Sequence, residues 1–119
     1  MMDIRLKRAY ERPAKSDGTR VLVDRIWPRG VRKEEAELDE WLPDIAPSSG
    51  LRKWFNHDPG RWEGFVEQYH RELDSRGEMV QRLAALAAKG RLTLVFAARD
   101  PEHSNAAALR SYLLEQGSG

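Results

Sequence analysis

Two short apolar runs limit how this chain can fold. Val21-Leu22-Val23 and Leu92-Thr93-Leu94-Val95-Phe96-Ala97-Ala98 are almost unbroken by polar residues, the pattern of strands buried on both faces. Between them, apolar residues recur largely at helical spacing. Strands joined through a long helical connection pair in parallel with a right-handed crossover. The segments 21–25 and 91–98 are therefore expected side by side, releasing Asp24-Arg25 and Arg99-Asp100 at one edge of the sheet. The expected fold is α/β: a single small domain over residues 1–119, with a short, mostly parallel sheet of about three strands packed with helices.

The remaining elements follow from periodicity and punctuation. Ile4, Leu6 and Ala9 alternate with Arg5, Lys7 and Arg8, which predicts a half-buried strand near 3–9. Pro13, Ser16, Asp17 and Gly18 mark a loop. It is short for a helical crossover, so a hairpin to the second strand is the default, with the direction of the first strand left open. Leu38, Trp41, Leu42 and Ile45 suit one helical face, but Pro43 interrupts it, leaving a short helix or turn. Ser48 or Ser49 can cap a helix that turns Leu51, Trp54 and Phe55 inward. Asp58-Pro59 opens a helix with Trp62, Phe65, Val66, Tyr69 and Leu73 on one face. Gly77 breaks or bends it, and Met79, Val80, Leu83, Leu86 and Ala87 continue to Gly90, read as a C′ glycine. Asp100-Pro101 opens a last helix with Ala106, Leu109 and Leu113 inward, and residues 117–119 are expected to fray.

Composition excludes some functions. Lys and Arg number 20 against 19 Asp and Glu, so no general basic excess favours nucleic acid. The absence of Cys removes disulfides, thiol nucleophiles and thiolate metal sites. No apolar run reaches bilayer-spanning length, and the amino terminus alternates charge with apolar residues rather than forming a signal peptide. A cytoplasmic protein of bacterial style is expected, without cofactor, metal or membrane contact.

Several motifs agree in order and spacing with a known family. Leu22-Val23-Asp24-Arg25-Ile26-Trp27-Pro28-Arg29-Gly30, Trp41-Leu42, Ala46-Pro47-Ser48 and Leu51-Arg52-Lys53-Trp54-Phe55 resemble the YeaO-like branch of a bacterial domain family of unknown function, number 488. The resemblance continues through Phe65, Tyr69, Glu72-Leu73, Thr93-Leu94 and the His103 region, and covers nearly the whole chain. It implies a small α/β domain and brings no biochemical activity with it. Other branches carry a Cys-His-Arg motif where this chain has His103 and no cysteine. The YeaO-like pattern has His-Asn followed by Asn or His and then Ala. Here the residues are His103-Ser104-Asn105-Ala106, so Ser104 departs from it.

The candidate site gathers at the two strand ends, where open α/β sheets bind ligands. Arg25, Arg29 and Arg32 offer guanidinium forks suited to phosphate or carboxylate. The plainer account makes them solvated or ion-paired residues. Asp24 reads as a brace for Arg25 or Arg99 rather than as a base or metal ligand. Trp27 can stack on a ring, although core packing is the stronger reading. Arg99, Asp100, His103 and Asn105 sit at the mouth of the last helix, where free N–H groups attract anions. His103, expected neutral beside the helix end, is the acid/base candidate if there is catalysis. Asp100 and Asp58 read as helix caps, which sets aside the His57-Asp58 pair. Ser104 forms no legible Ser-His-Asp arrangement. The favoured function is binding of a small phosphate- or carboxylate-bearing ligand, nucleotide-like in one form, with or without catalysis. Nucleic-acid binding or regulation comes second, and a protein-interaction module third. The oligomeric state is left open.

Overall fold

The fold is described for residues 2–118 from a computed structural model. Four strands, β1 (Ile4–Arg8), β2 (Thr19–Leu22), β3 (Glu40–Trp41) and β4 (Leu92–Phe96), form one sheet in the order β1-β4-β2-β3. All three pairings are parallel, with Ile4 opposite Leu92, Val21 opposite Leu94 and Val21 opposite Glu40. The predicted pair of buried strands is thus the centre of the sheet. The helices are α1 (Lys33–Ala36), α2 (Ser49–Phe55), α3 (Trp62–Asp74), α4 (Gly77–Lys89) and α5 (Asn105–Ser118).

The sheet has two unlike faces. Strand alternation sends Ile4, Val21, Val23, Leu92, Leu94 and Phe96 into the main core, where they meet Phe65, Tyr69, Leu73, Leu83 and Leu109 from the helices. Leu22 and Val95 point the other way, into a small cluster with Ala9, covered by Trp27, Val31 and Leu38. Next to that cluster the second face is polar. Arg20 and Thr93 are buried there under the 3₁₀ turn Lys15–Asp17. Asp17 accepts from Lys7 Nζ at 3.0 Å, Arg20 Nη1 at 2.7 Å and the Ala14 N–H at 3.0 Å. Its own carbonyl accepts from Thr93 Oγ1 at 2.6 Å. Gly18 closes this turn with φ +66°, and a Cβ there would lie 2.3 Å from the Arg91 carbonyl oxygen. The position needs glycine on both counts.

Several expectations change. The hairpin is replaced by a parallel arrangement with β4 between β1 and β2. Residues 9–18 return the chain to the start of the sheet without an α-helix, since ten extended residues span about 33 Å and five strand residues about 17 Å. The helical face over 38–45 becomes β3 and a 3₁₀ turn at Pro43–Ile45, with α1 ending ahead of it. Pro43 lacks the N–H for a continuing helix, and Leu42 N–H instead donates to Leu22 O at 3.0 Å. That strand raises the count from about three to four. Asp58 and Asp100 cap as expected, but each caps a short 3₁₀ turn ahead of the longer helix. Trp54, expected in the core, is 40% exposed, with the Arg61 guanidinium 5.4 Å from its ring centroid. Gly90 ends α4 with φ 166°, an extended backbone rather than a left-handed cap. The tail expected to fray is helical to Ser118, and Gly119 lies outside the described residues.

A crevice at the carboxyl ends of the central strands

The chain leaves β2 toward β3 and leaves β4 toward α5, which packs over β1. Loops departing in opposite directions from neighbouring parallel strands open a crevice between them. Here it has a volume of about 770 Å³. Asp24, Arg25, Trp27, Arg29, Arg99, Asp100, His103 and Asn105 all line it, so the two predicted halves share one wall system. Arg32 is not among the lining residues and pairs with Glu35 at 3.6 Å on the surface.

Asp24 holds the strand ends together. Its Oδ2 accepts from the Ala97 N–H at 2.8 Å, while Asn105 Nδ2 donates to Val23 O at 3.1 Å. The expected brace to Arg25 or Arg99 is therefore replaced by a backbone tether to the end of β4. A carboxylate two residues past a buried strand lies within reach of the open N–H just beyond the neighbouring strand. Burial pushes the Asp24 carboxyl above its ordinary value, and the Ala97 N–H, the Asn105 amide and the Arg52 charge only partly offset this. A group raised in the fold stabilises most fully below its ordinary value of 3.8 and loses that contribution as pH rises through the folded value. Asp24→Asn, which keeps the acceptor, is expected to raise the urea midpoint at pH 7. That gain should vanish in acid, and a gain that is constant with pH would contradict the account.

The arginines differ in their restraint. Arg25 lies 3.6 Å from Asp44, a loose pair with an exposed partner, and its Nε is buried without a hydrogen-bond partner. Arg29 and Arg99 are exposed and make no ion pair or side-chain hydrogen bond among the described residues. Arg52 also lines the crevice, without an ion pair among the described residues. The lining thus carries four arginines against two aspartates, Asp24 and Asp100.

His103 lies at the end of the 3₁₀ turn Pro101–His103, ahead of α5 rather than in its first turn. Its Nδ1 is 2.6 Å from Asp100 Oδ2, and its ring meets Trp62 edge-on at 5.2 Å. The expected dominance of the helix end therefore gives way to a direct carboxylate contact. The His103 ring, in hydrogen bonding to Asp100, holds that carboxyl below its ordinary range. Ser104 is buried. Its hydroxyl donates to Pro101 O at 3.0 Å and accepts from the Ala107 N–H at 3.1 Å, which uses it as the cap of α5. Trp27 lines the crevice and covers the second core cluster, with Nε1 donating to Val31 O at 2.7 Å.

The opposite wall comes from Ala46, Pro47, Arg52, Phe55, His57 and Phe65. Ala46 and Pro47 are held in place by α3. Tyr69 donates to Ile45 O at 2.6 Å, and burial pushes its phenol well up, so it remains a donor. Glu72 accepts from the Ser48 N–H at 2.8 Å and Ser48 Oγ at 2.6 Å. Arg76 donates to Ala46 O. Asn56 and His57 follow α2 at φ +46° and +53°, turning His57 into the crevice. Sequence reasoning set His57 aside and overlooked Arg52. Asn after the last apolar residue of a helix is a left-handed cap signal, which could have located the turn. Nothing local marks Arg52, a basic residue late in a short helix.

Comparison with known proteins places the chain. Residues 3–118 match the family profile described as the inactive DUF488-N3 subclade. The Escherichia coli protein named uncharacterized protein YeaO is 42% identical over 112 residues, covering 94% of this chain and 97% of its own. An uncharacterized protein of Mycobacterium tuberculosis is 40% identical over 110 residues, covering 92% of each chain, as is one of Mycobacterium bovis. No solved structure matches. The chain belongs to the DUF488 family, in its YeaO-like branch.

Proposed function

We propose that this DUF488 member binds a small organic anion in the crevice and holds it without covalent chemistry. One observation carries the reading: four arginines from three segments line a single cavity, three without an ion pair among the described residues and the fourth with an unpartnered Nε. An arginine fork without an acceptor suits a carboxylate or phosphate. The volume of about 770 Å³ falls within the range of about 300–1,000 Å³ usual for small-molecule sites and is far larger than an inorganic ion needs. Binding rather than turnover is supported by the hydroxyl and thiol inventory. Ser104 is committed to capping α5, and the chain has no Cys. The profile described as inactive agrees with that. His103, oriented by Asp100, then serves as a hydrogen-bonding group.

Inorganic phosphate, a nucleoside monophosphate and naphthyl phosphate provide a direct test by calorimetry and thermal shift. A ligand that binds only the native state raises the melting temperature. At least one organic anion should do so, and Arg25→Ala with Arg29→Ala should weaken it by about 100-fold, at about tenfold per charged hydrogen bond lost. Affinity unchanged in the double variant would remove the proposal. A salt-dependent gel shift of duplex DNA, lost in the same variant, would favour the nucleic-acid reading instead.

A further inference from the structure

The crevice is polarised with depth, and that polarity defines its ligand more narrowly. Ala46, Pro47, Phe55 and Phe65 are buried, whereas Arg29, Arg52, His57 and Arg99 are exposed. The floor is therefore apolar and the rim cationic. Phe65 stacks on Phe55 with centroids 4.5 Å apart and 26° between planes, and Trp62 continues the stack at 5.6 Å. The floor has little to offer an anion. The Ser104 hydroxyl is already doubly engaged, and the Ala97 N–H is taken by Asp24. Asp24 is itself a half-buried carboxyl that would repel a negative group placed beside it. An anion driven to the floor would lose its hydration without gaining donors. Arg25 sits between the two zones, half-exposed, with its Nε buried and unpartnered.

We propose that the ligand is an aryl anion, bound with its flat ring inward against Phe55, Phe65 and Pro47 and its phosphate or carboxylate outward on Arg25 and the rim arginines. This rests on the anion-binding reading and adds the orientation and the class of the body. Aromatic walls favour a ring through stacked and edge contacts. Arg25 presents the terminal nitrogens of its planar guanidinium, a geometry that a lysine cannot reproduce.

Three probes separate the contributions: naphthyl phosphate carries ring and charge, inorganic phosphate the charge alone and naphthol the ring alone. Naphthyl phosphate should bind at least tenfold more tightly than either of the others. Phe55→Leu keeps an apolar side chain of similar volume. It should weaken naphthyl phosphate by about five- to tenfold while leaving inorganic phosphate unchanged. Arg25→Lys should weaken both phosphates. Nuclear Overhauser contacts from the naphthyl protons to the Phe55 and Phe65 rings provide a readout that needs no variant. Inorganic phosphate binding as tightly as naphthyl phosphate, or naphthyl contacts confined to rim residues, would overturn the orientation while leaving an arginine-dependent anion site intact. Arginine-independent binding of all three probes would overturn both readings.

Discussion

Asp17→Ala is expected to cost about 3–5 kcal/mol of stability, the range for stranding a buried charge. Arg20 is 4% exposed, and Asp17 is its salt-bridge partner. Its other hydrogen bonds go to the carbonyls of Ala36 and Glu37, which offer dipoles but no charge. Lys7 depends on the same carboxylate. With total stabilities of about 5–15 kcal/mol usual for domains, the variant should sit close to unfolding, as read from urea midpoints at pH 7. Replacing Arg20 together with Asp17, as Asp17→Asn with Arg20→Met, should recover part of the loss, because the most deeply buried charge is no longer stranded and only the more exposed Lys7 loses its partner. If Asp17→Ala alone keeps the wild-type midpoint, the network is not what holds the second face.

The same carboxylate predicts an acid response. Burial raises its pKa, but the Ala14 N–H, Lys7 and Arg20 outweigh burial and hold it below the ordinary 3.8. A depressed carboxyl contributes stability that is present above the ordinary value and is lost as pH falls through the folded value. Wild-type protein should therefore lose stability below about pH 3.8 more steeply than Asp17→Ala. Asp24 has the opposite sign, so the two variants should diverge with pH in opposite senses.

Phe65→Ala is the second large effect, expected to cost about 3–5 kcal/mol and to lower the melting temperature by about 10–20 °C. Phe65 is 2% exposed and makes ring contacts with Phe55, Trp62 and Tyr69. Truncation would leave a cavity lined by rigid rings that cannot collapse into it. It would also deepen the crevice, since Phe65 is part of the floor. For that reason Phe55→Leu is the better probe of ligand orientation. Phe65→Leu should recover most of the stability, and a melting temperature within a few degrees of wild type for Phe65→Ala would contradict the account of the core.

The central strands, the helix starts at Ser48 and Asp58, and the shared edge for Asp24, Arg25 and Arg99 were legible in the sequence. Each rests on short-range chemistry: apolar runs, cap residues and proline. The remainder of the site was less accessible. Trp41 looked like part of a helical face because spacing alone cannot weigh a strand pairing offered by Leu22. Arg52 drew no site reading, because its neighbour Asp24 is 28 positions away in the chain. The role of Asp24 changed for the same reason: its acceptor strength was evident, but the Ala97 N–H that donates to it follows a different strand.

The sequence by itself therefore determined which segments must be buried, where the helices can begin and which charges stand at the strand ends. Tertiary structure decided the strand order, the second polar face under Asp17 and the depth polarity of the crevice. Local signals act over a few residues along the chain. Pairing order, buried charge partners and cavity walls depend on residues far apart in sequence, whose proximity exists only once the sheet and its helices have packed.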